Sequence, residues 1–250
     1  MRNLNLLGTA VIGLVIGLWE VAARWGPLAD LDALPSPGEI VAAFGELLSD
    51  GSLIPAVVHT LWIALLAAVV AISAGTVLGL LLGASSAFRL VTQSSFDVLR
   101  TIPAVSIMPV LLLLLGPEPR TEIIAGSIAA TWPMLVNAAD GVRSVHPRLA
   151  EVGQVFGFSR TRVAVRLTLP AVVPNLLVGA RLAVVTALLA TLLAEMIIVP
   201  TGLGWALISA QNAIQMAQMW VVVVVCGWIG WLLSIALTQI ARNLQPGGAR

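Results

Sequence analysis

Residues Val172 to Val199 read VVPNLLVGARLAVVTALLATLLAEMIIV, a run interrupted by charge only at Arg181 and Glu195. Crossing a hydrocarbon core of about 30 Å takes roughly 20 mostly apolar helical residues, and this run is longer. In lipid the backbone must satisfy its own hydrogen bonds, so the run is predicted to be a membrane-spanning helix. Comparable runs occupy Leu6 to Ala23, Pro55 to Leu82, Leu99 to Leu115 with a break at Pro103, Ile123 to Ala138, and Met219 to Ile240. The pattern predicts an all-α integral membrane protein with six transmembrane helices.

Composition agrees. The chain is 59% hydrophobic and only 10% charged, with a mean hydropathy of +1.01. A soluble fold of this length could not hide so much apolar surface. Every basic residue is arginine, and the formal net charge is +1, so there is no broad basic footprint for nucleic acid. The single cysteine, Cys226, sits in an apolar run and offers neither a disulfide nor a cysteine-based metal site. Arg2 before an apolar run, with Ala22 and Ala23 after it, could mark a signal peptide; with further spans following, an uncleaved first helix is the simpler expectation.

Six spans put both termini on one side, and arginine placement decides which. With cytoplasmic termini, the inner segments hold Arg2, Arg89, Arg143, Arg148, Arg160, Arg162, Arg166, Arg242 and Arg250, whereas the outer segments hold only Arg24 and Arg120. Asp30, Asp32, Glu39, Glu46, Asp50, Glu118 and Glu122 then fall outside. Within the outer segment 26–53, Leu34-Pro35-Ser36-Pro37 predicts an extended approach followed by an amphipathic helix from Gly38 to Leu48.

The longest inner stretch is Asp140 to Thr168. Leu149, Val152, Val155 and Phe156 recur at helical spacing, Gly157 permits a left-handed closing turn, and Ser159 can cap a second short helix. Pro170 suits the first turn of a further helix, where its missing N–H has no partner. The positive-inside rule accounts for the arginines but not for Phe156 and Phe158, two aromatics with no lipid to cover them. They point to a knob for a partner's groove.

Glu151-Val152-Gly153, three residues, Gly157, nine residues and then Leu167-Thr168-Leu169-Pro170 resemble the EAA signature of permease subunits of binding-protein-dependent ABC importers. Leu34-Pro35-Ser36-Pro37, Asp97 to Arg100 with Ile102-Pro103-Ala104, and Ala194-Glu195 with Gly202-Leu203-Gly204 are similar to the branch importing sulfonates, taurine and nitrate. Val152 and Gly153 stand where the signature has alanines, and Leu167 where it usually has isoleucine. The resemblance implies one permease domain over 1–250, a type I ABC importer permease (MetI-like) fold with cytoplasmic coupling helices, in a bacterial inner membrane with both termini cytoplasmic. It also implies docking through Glu151, Phe156, Gly157, Phe158, Leu169 and Pro170 onto two copies of an ABC ATPase, a second permease subunit forming a homodimer, and an extracytoplasmic solute-binding protein. The substrate would be a small solute such as a sulfonate, taurine or nitrate. This chain itself would take no cofactor; ATP would sit on the partner, since a lysine-free chain cannot carry a G-x-x-x-x-G-K-[ST] loop.

Charges inside apolar runs are costly and mark function or pairing. Glu195 lies four residues beyond Thr191 on one helical face, and it reads either as a pathway or gate residue or as half of a structural pair, with Arg100 as one candidate partner. Arg100 itself can pair with Asp97 at i, i+3, and is the third candidate for the pathway with Thr191 and Glu195. Neither His59 nor His146 has a second ligand at metal-binding spacing on its own helix, so no metal site is expected. No convergent Ser, His and Asp suggests hydrolysis, which argues against an enzyme. A self-contained secondary transporter or channel is the alternative; it predicts paired repeats, and the two halves of this chain do not visibly echo each other.

Overall fold

The computed structural model describes residues 6–26, 29, 31, 33–146 and 148–244, and every regular element among them is helical. Arg2, Asp30, Asp32 and Arg250, on which part of the orientation reading rests, lie outside the described residues. The helices are α1 (Leu6–Trp25), α2 (Pro37–Ser49), α3 (Leu53–Ala84), α4 (Ser86–Leu99), α5 (Ala104–Leu115), α6 (Pro119–Ser144), α7 (Arg148–Val155), α8 (Arg160–Val163), α9 (Leu169–Ile197), α10 (Gly202–Asn212) and α11 (Met216–Leu244). A π turn, Ala164–Thr168, joins α8 to α9.

α3, α6 and α9 form the centre. Lipid tails are as apolar as leucine, so helices in a bilayer associate mainly through close packing of small residues. Ala67, Ala68 and Ala71 of α3 accordingly meet Ala130 and Met134 of α6 and Ala183 and Ala187 of α9. Gly75, Gly79 and Gly83 extend the α3 stripe at four-residue intervals. A Cβ on Gly75 would lie 2.7 Å from Met134 Cβ, one on Gly83 2.6 Å from Val142 Cβ, and one on Gly79 would run into the Leu135 carbonyl oxygen. Beside this trio, Leu203 of α10 is enclosed by Leu53 and Ala64 of α3, Leu188 of α9 and Val222 of α11.

α2 forms as its sequence predicts. Ser36 Oγ accepts from Glu39 N at 3.3 Å, Glu39 Oε2 accepts from Ser36 N at 2.7 Å, and Pro37 opens the helix. Ile40 and Ala43 bury against Val221 of α11. At its start Gly38 N donates to Glu20 Oε2 at 2.9 Å, and Trp19 meets Trp220 edge-on, so the far end of α1 is held to α2 and α11.

Three span expectations change. Four helical stretches are long and apolar enough to cross a membrane: Gly8–Trp25, Leu53–Ala84, Thr161–Ile197 and Met216–Asn243. The span expected from Leu99 to Leu115 is instead α4 and α5, bent by 89° across Pro103, and this pair would be a fifth span. The sixth, expected from Ile123 to Ala138, lies in α6, which is long enough to cross but less apolar than the other four. Its polarity is tolerated because α3 and α9 cover it, burying Thr121, Glu122 and Ser127. Finally, the second short helix expected after Gly157 does not stop before Pro170: α8, the π turn and α9 run on as one body from Thr161 to Ile197.

Candidate functional site

The turn between α6 and α9 is built by α7 and α8. Phe158 N donates to Gly153 O at 2.8 Å, and Gly157, at φ +67, takes the left-handed conformation that ends α7. Ser159 Oγ then accepts from Arg162 N at 3.3 Å. α7 lies so close to α8 that a Cβ on Gly153 would sit 2.5 Å from Val163 Cγ2. Val155 and Phe156 are 84% and 71% exposed. Phe158 is half-buried, 6.3 Å from the Phe156 ring, with the Arg162 guanidinium 5.6 Å from its ring centre. Glu151, Leu169 and Pro170 are exposed. The turn thus offers an apolar tip with a cation behind it.

At the other end of the bundle, polar groups of α3, α6, α9 and the start of α10 converge. Glu195, on the last turns of α9, has no exposed surface. Thr60 Oγ1 of α3 donates to its Oε1 and Oε2 at 2.7 and 2.9 Å, and Gly204 N of α10 donates to Oε2 at 2.8 Å. Glu122, in the first turn of α6, is also fully buried. His59 Nε2 stands 3.4 and 3.3 Å from its two oxygens and 3.2 Å from Thr201 Oγ1. His59, Glu122 and Glu195 each bring one ligand atom within 4.8 Å of the others. Gly202, at φ +86, carries the chain past Glu195; a Cβ there would collide with the carboxyl group. One turn back along α9, Thr191 Oγ1 is buried without a hydrogen-bond partner among the described residues.

These placements revise several readings. Glu195 does not pair with Arg100, which instead binds Asp97 at 3.1 Å. Glu122 is not an outer-loop acid but a core residue. His59 has no ligand on its own helix, yet Glu122 and Glu195 reach it from α6 and α9. The sequence signal for this cluster was slight: two carboxylates and a histidine, each inside or bordering an apolar run, with no spacing to relate them. Arg100, at the α4–α5 bend, borders a cavity of about 400 Å³ lined also by Thr101, Ile107, Trp132 and Thr186.

A family model described as "Binding-protein-dependent transport system inner membrane component" matches residues 75–248. A Bacillus subtilis (strain 168) protein described as an aliphatic sulfonates transport permease is 27% identical over 237 residues, covering 95% of this chain and 86% of the relative. The nitrate import permease of Leptolyngbya laminosa is 30% identical over 173 residues, covering 69% of this chain and 62% of the relative. Among solved structures, an inward-facing conformation of the MetNI methionine ABC transporter matches with a TM-score of 0.66 at 17% identity, over 77% of this chain and 96% of that one. That likeness concerns the fold.

Proposed function

Because the chain belongs to the family of binding-protein-dependent transport system inner membrane components, we propose that it is the membrane-spanning subunit of an ATP-driven importer for a small anion. The relatives with matching names act on aliphatic sulfonates and nitrate, which supports an anion of that class. In this reading two copies pair in the inner membrane with their termini cytoplasmic, an extracytoplasmic binding protein delivers the solute, and two separate ATPase subunits bind and hydrolyse ATP.

The observation that carries the reading is the continuity of α8, the π turn and α9 behind an exposed Phe156. Val155 and Phe156 enter a groove on the ATPase, Glu151 makes a polar contact at its rim, and Gly157 and Phe158 hold the angle of the turn. A displacement of the docked turn passes through Leu169 and Pro170 into the span without crossing a flexible link. Arg100 lies on the pathway beside its cavity, and Thr191 and Glu195 belong to the gate region.

The test is co-expression with a candidate ATPase subunit and binding protein. Truncating a buried aromatic anchor costs on the order of 2 kcal/mol or more. Phe156→Ala should therefore weaken ATPase retention at least about 30-fold and abolish ATP-dependent uptake in proteoliposomes, while membrane insertion is unchanged. Purification of an intact, fully active transporter from this variant would refute the docking role.

A further inference from the structure

We infer that His59, Glu122 and Glu195 form a binding site for a divalent transition-metal ion, of the zinc or manganese class, that ties α3, α6 and α9 together at the end of the bundle opposite the docking turn. The first ground is charge. Two carboxylates are enclosed in the helical bundle without exposed surface. A buried carboxylate stays ionised only when paired or coordinated, and otherwise takes up a proton. The arginine–carboxylate pairs among the described residues are Arg24–Glu20, Arg100–Asp97, Arg120–Glu118 and Arg143–Asp140, so no guanidinium reaches either glutamate. The chain contains no lysine. An imidazolium at His59 would offset one negative charge; a divalent ion offsets both.

The second ground is hydrogen bonding. Glu195 accepts from the Thr60 hydroxyl and the Gly204 N–H, so it is presented with donors alone, which suits the ionised, acceptor-only form. Glu122 offers both oxygens to one ring nitrogen at nearly equal distances. That nitrogen also faces Thr201 Oγ1, so one atom of His59 confronts three oxygens.

Geometry is the third ground. Around a four-coordinate zinc with bonds near 2.1 Å, donor atoms stand about 3.4 Å apart. His59 Nε2 and Glu122 Oε2 are separated by 3.3 Å, the edge such a polyhedron requires, and Glu195 has to close from within 4.8 Å. One imidazole with two carboxylates suits zinc or manganese, and the Thr201 hydroxyl or a water would complete the shell. The His59 side chain is 23% exposed, which leaves a way in for the ion.

The full-length, tag-free protein, stripped with chelator in detergent, is dialysed against zinc chloride, manganese chloride or, as a hard-cation control, magnesium chloride. Elemental analysis should find one zinc or manganese ion per chain, with a metal-dependent rise in the thermal transition. Glu122→Gln and His59→Gln should each lower affinity by at least about 10-fold, and Glu122→Asp, which keeps a carboxylate, should lower it less than Glu122→Gln. His146→Gln, on the exposed cytoplasmic side, should change nothing. The inference is overturned if metal content in the wild-type protein does not exceed that of Glu122→Gln, or if Glu122→Gln melts higher than the wild type irrespective of metal. The latter outcome would show that the pair is held by protons. If His59→Gln does not fold, the comparison of Glu122→Asp with Glu122→Gln decides the matter.

Discussion

One hydroxyl joins Thr60 to Glu195: Oγ1 lies 2.7 Å from Oε1 and 2.9 Å from Oε2, while accepting from Leu203 N at 2.9 Å. At that atom α3 meets the end of α9 and the start of α10, more than 130 residues further along the chain. Thr60→Val keeps the shape and leaves a buried carboxylate and a helix-start N–H each short of a partner, at a cost of about 1 to 3 kcal/mol. The expected result is a lower thermal transition in detergent for Thr60→Val and a near-normal one for Thr60→Ser. Equal melting of Thr60→Val and the wild type would show that the hydroxyl contributes nothing.

Gly79 faces the Leu135 carbonyl and Ala138 Cβ with no room for a side chain. Gly79→Val should separate α3 from α6 and destabilise by about 1 to 3 kcal/mol or more, seen as reduced accumulation of membrane-inserted protein. Gly13→Val, on α1 where nothing lies within 4 Å of the added carbon, should accumulate normally.

Gly157 can be tested for its backbone conformation alone. At φ +67 an alanine is strained by roughly 1 kcal/mol, whereas asparagine tolerates the left-handed region. Gly157→Ala should lower ATP-dependent uptake in proteoliposomes more than Gly157→Asn, although asparagine is the bulkier residue. The reverse order would point to side-chain crowding at the proposed docking surface instead.

Ile214 sits between α10 and α11 at φ +60, the only non-glycine residue with positive φ among those described, and is 76% exposed. A β-branched residue is poorly suited to that conformation. Ile214→Asn should raise stability by roughly 1 kcal/mol, read as a higher melting temperature, since little packing is lost. A drop in melting temperature would mean that the exposed side chain has an unseen structural role.

The features legible in the sequence are those carried by neighbouring residues. Ser36, Pro37 and Glu39 announce a cap; Phe156, Gly157 and Phe158 announce a turn with an apolar tip; a run such as Val172 to Val199 announces a span. The bend at Pro103 was legible as a break, but its angle was not, because proline removes a hydrogen bond without prescribing what the freed segment packs against. α6 read as an apolar span because a hydropathy reading cannot tell lipid from neighbouring helices as the cover for a helix. The cluster of His59, Glu122 and Glu195 escaped for a related reason. Its members are brought together only by the close approach of α3, α6 and α9, and the alanines and glycines that allow this approach give no hint of what stands above them.

The π turn at Ala164–Thr168 gives the α7–α8 turn a defined heading. Such a turn amounts to one residue inserted into an α-helix, and each residue of an α-helix advances the chain by about 100° about its axis. Deleting one residue there would leave α7, α8 and Phe156 intact yet swing them by about a quarter turn about the axis of the span. The insertion therefore works as an angular index, deciding which compass direction the tip faces while the anchored helix stays where it is.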